Sequence, residues 1–343
     1  MIDKLLTLCV QKKVSDLHLS SGCKARYRID GDLVDIESSP VLNDKMISQM
    51  LLQIMTEDQK EELIDTLECD FSIDSVENDA RFRVNAFFHN RGYGAVFRRL
   101  ENKIPTLDQF SAPKVLKTVQ AKRGGLILVT GPTGSGKSST LAALVSEMNQ
   151  KEEAHILTIE DPIEFVHVSQ KSLINQREVK RDTRSFNAAL KSALREDPDC
   201  ILVGEMRDLE TIRLALEAAE TGHLVLGTLH TMSAIKTVDR IISVFPPAEQ
   251  ELVRNMLAES LQIVISQRLL KRKGSGRVAA YEVLVNNSGI KNMIKDNRLS
   301  QIYSSLQTGS AQGMSTMEAS IELLMKTDII SKEEAAKYIV IKG

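Results

Sequence analysis

A glycine-rich stretch directly after an apolar run constrains the fold of this chain more than any other feature. Residues 131–138 read GPTGSGKS, and they follow the apolar run Leu126–Thr130. We expect a helix from Ser139 to Met148, because the apolar residues of that segment fall on one face. A strand, a glycine-rich turn and a helix in this order form the setting that holds a polyphosphate. The alternative is a strand-to-helix turn with no ligand.

The residue types in this loop predict a nucleoside triphosphate site. Glycines let backbone N–H groups turn inward on phosphates, and the N-terminus of the following helix adds partial positive charge. We expect Lys137 to reach the β- and γ-phosphates and Ser138 to hold Mg²⁺. The predicted nucleotide-binding residues of the loop are Thr133, Gly134, Ser135, Gly136, Lys137, Ser138 and Ser139.

Composition narrows the class of protein. The chain has 343 residues, of which 42% are apolar and 26% charged, so we expect a large core and two domains. A formal net charge of −2 and an aromatic content of 4% argue against nucleic acid as a partner. Four widely spaced cysteines with no Cys-x-x-Cys pair argue against zinc and disulfides.

We expect a cytoplasmic protein that does not insert into a membrane. No apolar run approaches the length of a membrane span. The start of the chain, Met1–Leu5, shows no charged segment leading into an apolar stretch and a cleavage site.

The pattern after Gly124 predicts an α/β fold. Short apolar runs alternate with helical segments, as at Ile156–Ile159, Cys200–Val203 and Leu224–Leu226. Such runs are typical of a mostly parallel sheet covered on both faces. We therefore predict a RecA-like or related P-loop NTPase core, followed from Asn286 by helices, the last one opened by a capping box at Ser331–Glu334. The basic stretch Lys271–Arg277 is predicted to be a solvated hairpin loop.

The first hundred residues predict a smaller α+β domain. Residues 81–88 alternate polar and apolar, and Ala95–Phe97 forms a second strand after a turn at Asn90–Gly92. The segment 101–114 contains two prolines and is interpreted as a linker. The predicted domains are therefore 1–100 and 115–343.

Acidic residues follow two of the predicted strands. Glu205 comes just after Cys200–Val203, where a carboxylate can polarise the attacking water. Gly204 stands where an Mg²⁺-binding aspartate is common, so another carboxylate must substitute. The run Thr158–Glu164 supplies Glu160, Asp161 and Glu164, and its alternative interpretation is a solvated acidic turn.

Histidines and arginines complete the candidate site. His230 lies at the C-terminal end of the strand 224–226, where ligands gather in open α/β sheets, and is predicted to sense the γ-phosphate. His223, at the strand start, is as consistent with a structural role. Arg83 and Arg98 lie on neighbouring strands, as candidates to reach a neighbouring subunit's γ-phosphate or as a solvated basic face. Arg240 is another candidate.

Several motifs in order resemble one family. They are Ser15–Leu19, Asp30-Gly31, Arg81–Asn85, the phosphate loop, the acidic box Thr158–Glu164, the motif Ile201–Asp208 and the histidine box Gly222–Thr231. Together they are similar to the PilT-type retraction ATPases of type IV pili, within the secretion ATPase superfamily. The resemblance spans nearly the whole chain.

The resemblance implies a fold, an activity and partners. It implies an N-terminal PAS-like domain, a C-terminal RecA-like domain and a homohexameric ring that hydrolyses ATP with Mg²⁺ to retract pili for twitching motility. It also implies Glu205 as the catalytic glutamate, acidic-box roles for Glu160, Asp161 and Glu164, and γ-phosphate contacts from the histidine box and the N-terminal arginines. Expected partners are an inner-membrane pilus platform protein at the cytoplasmic face and a paralogous retraction ATPase.

Two features favour retraction over pilus assembly. The paired Cys-x-x-Cys motifs usual in assembly ATPases are absent from the sequence, and Ser288–Asp296 resembles the retraction motif AIRNLIRE, with Lys291 and Lys295 in place of arginines. An amine keeps the charge of an arginine but not its bidentate geometry. The alternatives are an accessory ring subunit that binds nucleotide mainly for assembly and a nucleic-acid translocase.

Overall fold

The chain is organised as two compact units. The computed structural model describes residues 1–12, 14–29, 32–75, 80–100 and 103–340. One unit comprises Met1–Lys103 with the short segment Pro162–Val166, and the other comprises Ile104–Asp161 and His167–Gly343. The motif Asp30-Gly31 and the first residues of the predicted linker, 101–102, lie outside the described residues. Within the described ranges, no helix combines the length and the apolar character needed to cross a bilayer.

The first unit contains an antiparallel sheet. Its strands are β1 (Asp16–Ser20), β2 (Arg26–Ile29), β3 (Asp32–Asp35), β4 (Glu68–Ser75), β5 (Ala80–His89) and β6 (Gly92–Leu100). Their described order is β3-β2-β1-β6-β5-β4, with antiparallel neighbours throughout.

Helices cover the apolar face of this sheet. The helices are α1 (Ile2–Gln11), α2 (Asp44–Ile54) and α3 (Glu57–Thr66). Because side chains alternate along a strand, Phe82 and Val84 of β5 are buried with Leu6 and Ile47 of the helices, while Arg83 lies on the other face. The unit is thus α+β, and its PAS-like identity stays a prediction.

The second unit contains a mostly parallel sheet, which confirms the predicted α/β class. Its strands are β7 (Gly125–Thr130), β8 (His155–Glu160), β9 (Leu173–Glu178), β10 (Cys200–Val203), β11 (Leu224–Leu229), β12 (Leu261–Lys271) and β13 (Arg277–Val285). The described order is β13-β12-β7-β11-β10-β8-β9, and β13 alone runs antiparallel to its neighbour. The basic segment between β12 and β13 is an exposed hairpin loop, as predicted.

Helices pack on both faces of this sheet. They are α4 (Lys137–Lys151), α5 (Phe186–Ala193), α6 (Leu209–Glu220), α7 (Ala234–Ser243), α8 (Gln250–Ser260), α9 (Ser288–Lys295), α10 (Ile302–Thr308), α11 (Met317–Lys326) and α12 (Lys332–Ala336). Leu126 and Leu128 of β7 face a cluster that includes residues of α6 and α8, whereas Ile127 and Val129 face residues of α4. Burial on both sides explains the continuous apolar runs.

Some local predictions differ from the structure. The helix after the loop begins at Lys137 rather than Ser139. The predicted linker is packed, because Leu107 is buried in the core of the second unit. The predicted capping box at Ser331 has one of its two hydrogen bonds: Ser331 Oγ accepts the Glu334 N–H. The Glu334 carboxylate accepts the backbone N–H of Lys271 instead of the N–H of Ser331.

Candidate nucleotide site

The phosphate loop is the turn between β7 and α4. Gly131, Gly134 and Gly136 have φ angles of +141°, +76° and +88°, in the left-handed region that glycine tolerates. A Cβ on Gly131 would lie 2.2 Å from the Gln267 carbonyl oxygen, whereas the same atom on Gly134 would meet nothing within 4 Å. The loop backbone is therefore packed against β12 at its start and open at its tip.

Donor groups converge at this loop. Lys137 Nζ folds back to donate to the carbonyl oxygens of Gly131 at 3.0 Å and Pro132 at 3.2 Å. Ser135 Oγ is buried and has no hydrogen-bond partner among the described residues. Ser138 and Ser139 lie in the first turn of α4, where Ser138 is exposed. A lysine, a helix N-terminus and an unsatisfied hydroxyl together fit a polyphosphate with a metal ion.

Glu205 follows β10 and carries two partners. Arg207 engages both carboxylate oxygens, with Nε 2.6 Å from Oε1 and Nη2 2.6 Å from Oε2. His230 Nε2 lies 3.0 Å from Oε1. Burial alone would raise the pKa of Glu205, but Arg207 and then His230 outweigh it and hold the pKa below its ordinary value. The carboxylate is therefore ionised at neutral pH.

His230 connects Glu205 with the phosphate loop. It follows β11, whose C-terminal end lies beside that of β7 in parallel register. Its Nδ1 lies 3.5 Å from Thr133 Oγ1 of the loop while Nε2 faces Glu205. Arg240 of α7 lines a cavity of about 330 Å³ together with Glu205, Arg207 and His230. Glu205, Arg207, His230 and Arg240 thus line the same cleft.

The acidic box is divided between the two units. Glu160 ends β8, where its Oε1 accepts from Thr158 Oγ1 at 2.7 Å and Gln176 Nε2 at 3.2 Å. Asp161 follows it and contributes to the electrostatic environment of Arg207. Glu164 belongs to the segment that groups with the first unit. Close packing disfavours an aspartate at position 204, because a Cβ on Gly204 would lie 3.0 Å from the Ile159 carbonyl oxygen.

The fold of the second unit does not place three predicted site residues beside the phosphate loop: His223, Arg83 and Arg98. His223 lies at the opposite end of β11, where its carbonyl accepts the Gly125 N–H and its ring contacts Ala218 O and Thr221 Oγ1. His223 therefore lies beside the start of β7, whereas the phosphate loop follows the end of that strand, and its role in nucleotide binding stays a prediction. Arg83 and Arg98 belong to the first unit, where they pair with Asp70 and Asp16. Their catalytic role stays a prediction.

Sequence reasoning missed two polar residues of β12. Ser266 Oγ lies 2.7 Å from Thr130 Oγ1, and Gln267 contacts the phosphate loop itself. Both are buried. The signal that could have found them is a polar pair that interrupts an otherwise apolar strand, since buried polar groups require partners.

Comparison with known proteins places the chain in a family. A family model described as type II/IV secretion system protein matches residues 1–335. The chain belongs to this family. Its members include the type IV pilus retraction ATPase PilT of Pseudomonas aeruginosa, which is 53% identical over 97% of this chain and 96% of PilT. The twitching motility protein of Neisseria gonorrhoeae is 52% identical over 95% of this chain and 88% of its own.

A solved member of the family has the same fold. The crystal structure of the pilus retraction motor PilT with bound ADP matches with a TM-score of 0.91 and 44% identity, over 98% of this chain and 96% of that one. This agreement confirms the resemblance drawn from the motifs and the RecA-like character of the second unit.

Proposed function

We propose that this chain is an ATPase motor that powers type IV pilus retraction. The observation that carries the proposal is the position of His230, whose ring lies between Thr133 of the phosphate loop and the carboxylate of Glu205. A candidate base thereby lies next to a phosphate-binding loop. Two similar proteins are named as a pilus retraction ATPase and a twitching motility protein, which supports pilus retraction as the function of this chain.

Residues of the loop and of α4 would bind the nucleotide. Backbone N–H groups of the loop donate to phosphate oxygens, and Lys137 exchanges its two carbonyl partners for them. Ser138 would hold Mg²⁺, with Glu160 and Asp161 orienting its water ligands. Held by these residues, Mg²⁺ would supply positive charge to stabilise the transferred phosphoryl group.

Glu205 would prepare the water that attacks the γ-phosphate. As an ionised carboxylate it accepts a proton from the water, and His230 orients it from the side of the loop. Release of Arg207 would make the carboxylate a stronger base, because the arginine engages both oxygens. We propose that Glu164, Arg83 and Arg98 complete the pocket, the two arginines from a neighbouring subunit, and that His223 acts only across such a contact.

We further propose a homohexameric ring at the cytoplasmic face of the inner membrane. There it would act on a pilus platform protein, together with a paralogous retraction ATPase, and without nucleic acid. The net charge of −2 supports the last point, since nucleic-acid binding relies on basic surfaces. The candidate arginines of the first unit support an assembly in which neighbours share a site.

Gene deletion with pilus counting tests the proposed output. Deletion should leave cells with excess pili that do not retract, and wild-type protein should restore retraction whereas Lys137→Ala should not. Bald cells would show instead that the chain assembles pili. ATP turnover of the purified wild-type protein should exceed that of Lys137→Ala, and equal turnover would favour an accessory subunit.

A further inference from the structure

Gln267 is a buried polar residue at the level where the phosphate loop begins. Strand β12 runs parallel to β7, with Ser266 opposite Thr130, the last residue before the loop. Gln267 is only 3% exposed. A buried amide in a parallel sheet is stable only if its donor and acceptor are both bonded.

Both ends of this amide bind the segment that forms the loop. Gln267 Nε2 donates to the Ser135 carbonyl oxygen at 2.6 Å, and Oε1 accepts from Thr140 Oγ1 at 2.8 Å. Ser135 lies within the loop and Thr140 in the first turns of α4. One side chain therefore holds the loop and the start of the helix in a fixed relation.

The glycines of the loop fit around the same residue. A Cβ on Gly131 would lie 2.2 Å from the Gln267 carbonyl oxygen, and one on Gly136 would lie 2.8 Å from its Nε2. A real Cβ does not approach other atoms so closely. The backbone of Gln267 thus leaves room only for glycine at position 131, and its side chain packs against Gly136.

We propose that Gln267 is a positioning residue that holds the phosphate loop in its binding shape before nucleotide arrives. Its bond to Ser135 O fixes the orientation of the peptide that joins Ser135 to Gly136. Without this bond the buried carbonyl would lack a partner, and the N–H groups of the loop would have to be ordered by the nucleotide at a cost in affinity. This inference rests on the proposed function in taking the ligand to be a nucleotide.

Two substitutions test the two hydrogen bonds. Gln267→Met keeps the length of the side chain but removes both bonds, whereas Thr140→Val removes only the bond between Thr140 Oγ1 and the Gln267 amide. Gln262→Leu is the matched control. Gln262 lies in the same strand, and its Oε1 accepts from Lys122 Nζ at 2.7 Å, away from the loop.

Two measurements on the full chain test the proposal. Hydrogen exchange of the amides in residues 133–140 is measured without nucleotide, and the affinity for ADP is measured by calorimetry. In Gln267→Met we expect exchange and the Kd for ADP each to rise roughly tenfold or more, because the buried Ser135 carbonyl and the Thr140 hydroxyl both lose their partner. Thr140→Val should show a smaller rise, and Gln262→Leu should match the wild type.

Specific outcomes would overturn the proposal. Unchanged exchange in Gln267→Met would show that the amide does not hold the loop, and faster exchange with unchanged ADP affinity would show that holding it does not aid binding. If Gln267→Met fails to fold, Thr140→Val decides by the same two criteria, because its bond orients the same amide. Failure of the proposed function is distinguishable, because wild-type protein would then show no ATP turnover or bind no ADP, while its exchange still reports the state of the loop.

Discussion

Arg207 engages both oxygens of Glu205 and thereby lowers the basicity of the carboxylate. The side chain of Arg207 is 72% exposed, whereas that of Glu205 is 19% exposed, so the arginine is the partner with room to move. His230 contacts the same carboxylate from the other side. The ionised carboxylate of Glu205 is therefore paired with Arg207 on one side and with His230 on the other.

Removal of Arg207 should shift the pH dependence of hydrolysis. Burial favours the neutral form of Glu205, and Arg207 counteracts it, so Arg207→Gln should raise the pKa of the carboxyl. Because the base must be ionised, the acid limb of the kcat/KM profile should move to higher pH. Arg207→Lys should keep the limb near the wild-type position. An acid limb that stays in place in Arg207→Gln would contradict the pairing.

Residues of the site differ in how far sequence can predict them. Lys137 and Glu205 follow from local spacing, because each is fixed by the strand that precedes it. Gln267 does not, since its partner Ser135 lies 132 residues away in the chain. His223 was predicted for the site because it flanks the same strand as His230, but the two residues lie at opposite ends of that strand.

Helices α8 and α9 are joined by one carboxylate. Glu259 contacts Lys295 Nζ at 2.6 Å and Lys291 Nζ at 2.9 Å, one helical turn apart. These lysines occupy the positions where the resembling motif has arginines. Two compact ammonium groups can share a single carboxylate, so the substitution retains an ionic link between the helices.

The Glu259 carboxyl should titrate far below its usual range. Hydrogen bonds from Lys295 and Lys291 lower its pKa from 4.5 to about 2. The ionised form is favoured in the folded chain, so this link is fully present above pH 4.5 and is lost as the pH falls through about 2. Carboxyl NMR titration checks the midpoint. A midpoint that stays near 2 after Lys291→Met and Lys295→Met would assign the shift to another cause.

Glu282 caps two helices from within β13. It is buried, burial raises its pKa, and its carboxylate accepts the backbone N–H groups of Ala234 and Met317 at the starts of α7 and α11. Glu282→Ala should lower the free energy of unfolding by about 1–3 kcal/mol, because two backbone donors at helix starts lose their partner. Chemical denaturation measures this.

The matched control for Glu282 is Glu322→Ala. Glu322 forms a surface pair with Lys326 at 3.5 Å, which should contribute about 0.5 kcal/mol or less. Equal destabilisation by the two substitutions would refute a capping role for Glu282.

Elements were predictable where burial on both faces produced an apolar run. Strands β7, β8, β10 and β11 follow from such runs. Strand β9 (Leu173–Glu178) was missed, because it lies at the edge of the sheet and is largely polar. The start of α4 was placed two residues late, since Gly136 serves as its N-cap with a positive φ angle that local propensity does not reveal.

The proposed ring makes a prediction about mixed assemblies. If Arg83 acts on the pocket of a neighbouring subunit, Glu205→Gln and Arg83→Ala chains should each be inactive alone. Mixed rings should recover part of the ATPase activity, because some contacts then join an intact loop and Glu205 with an intact arginine. Mixed rings as inactive as the separate variants would place Arg83 in its own chain's site or outside catalysis.

The arrangement of subunits lies beyond what the sequence pattern predicts. Apolar runs and loop glycines report the burial and curvature of one chain, whereas the pairing of Arg83 with Asp70 and of Arg98 with Asp16 shows side chains already satisfied within the first unit. In the proposed ring, a neighbouring chain would have to draw them away from these partners. The family could be identified from the sequence, because the order of motifs along the chain does not depend on contacts between subunits.

ATP turnover by purified Glu205→Gln tests most directly whether the phosphate loop and Glu205 form one hydrolytic site, with ADP affinity measured on the same protein. We expect kcat to fall roughly a hundredfold or more, from loss of the base, with ADP affinity close to that of the wild type. Turnover at the wild-type rate would contradict a single hydrolytic site.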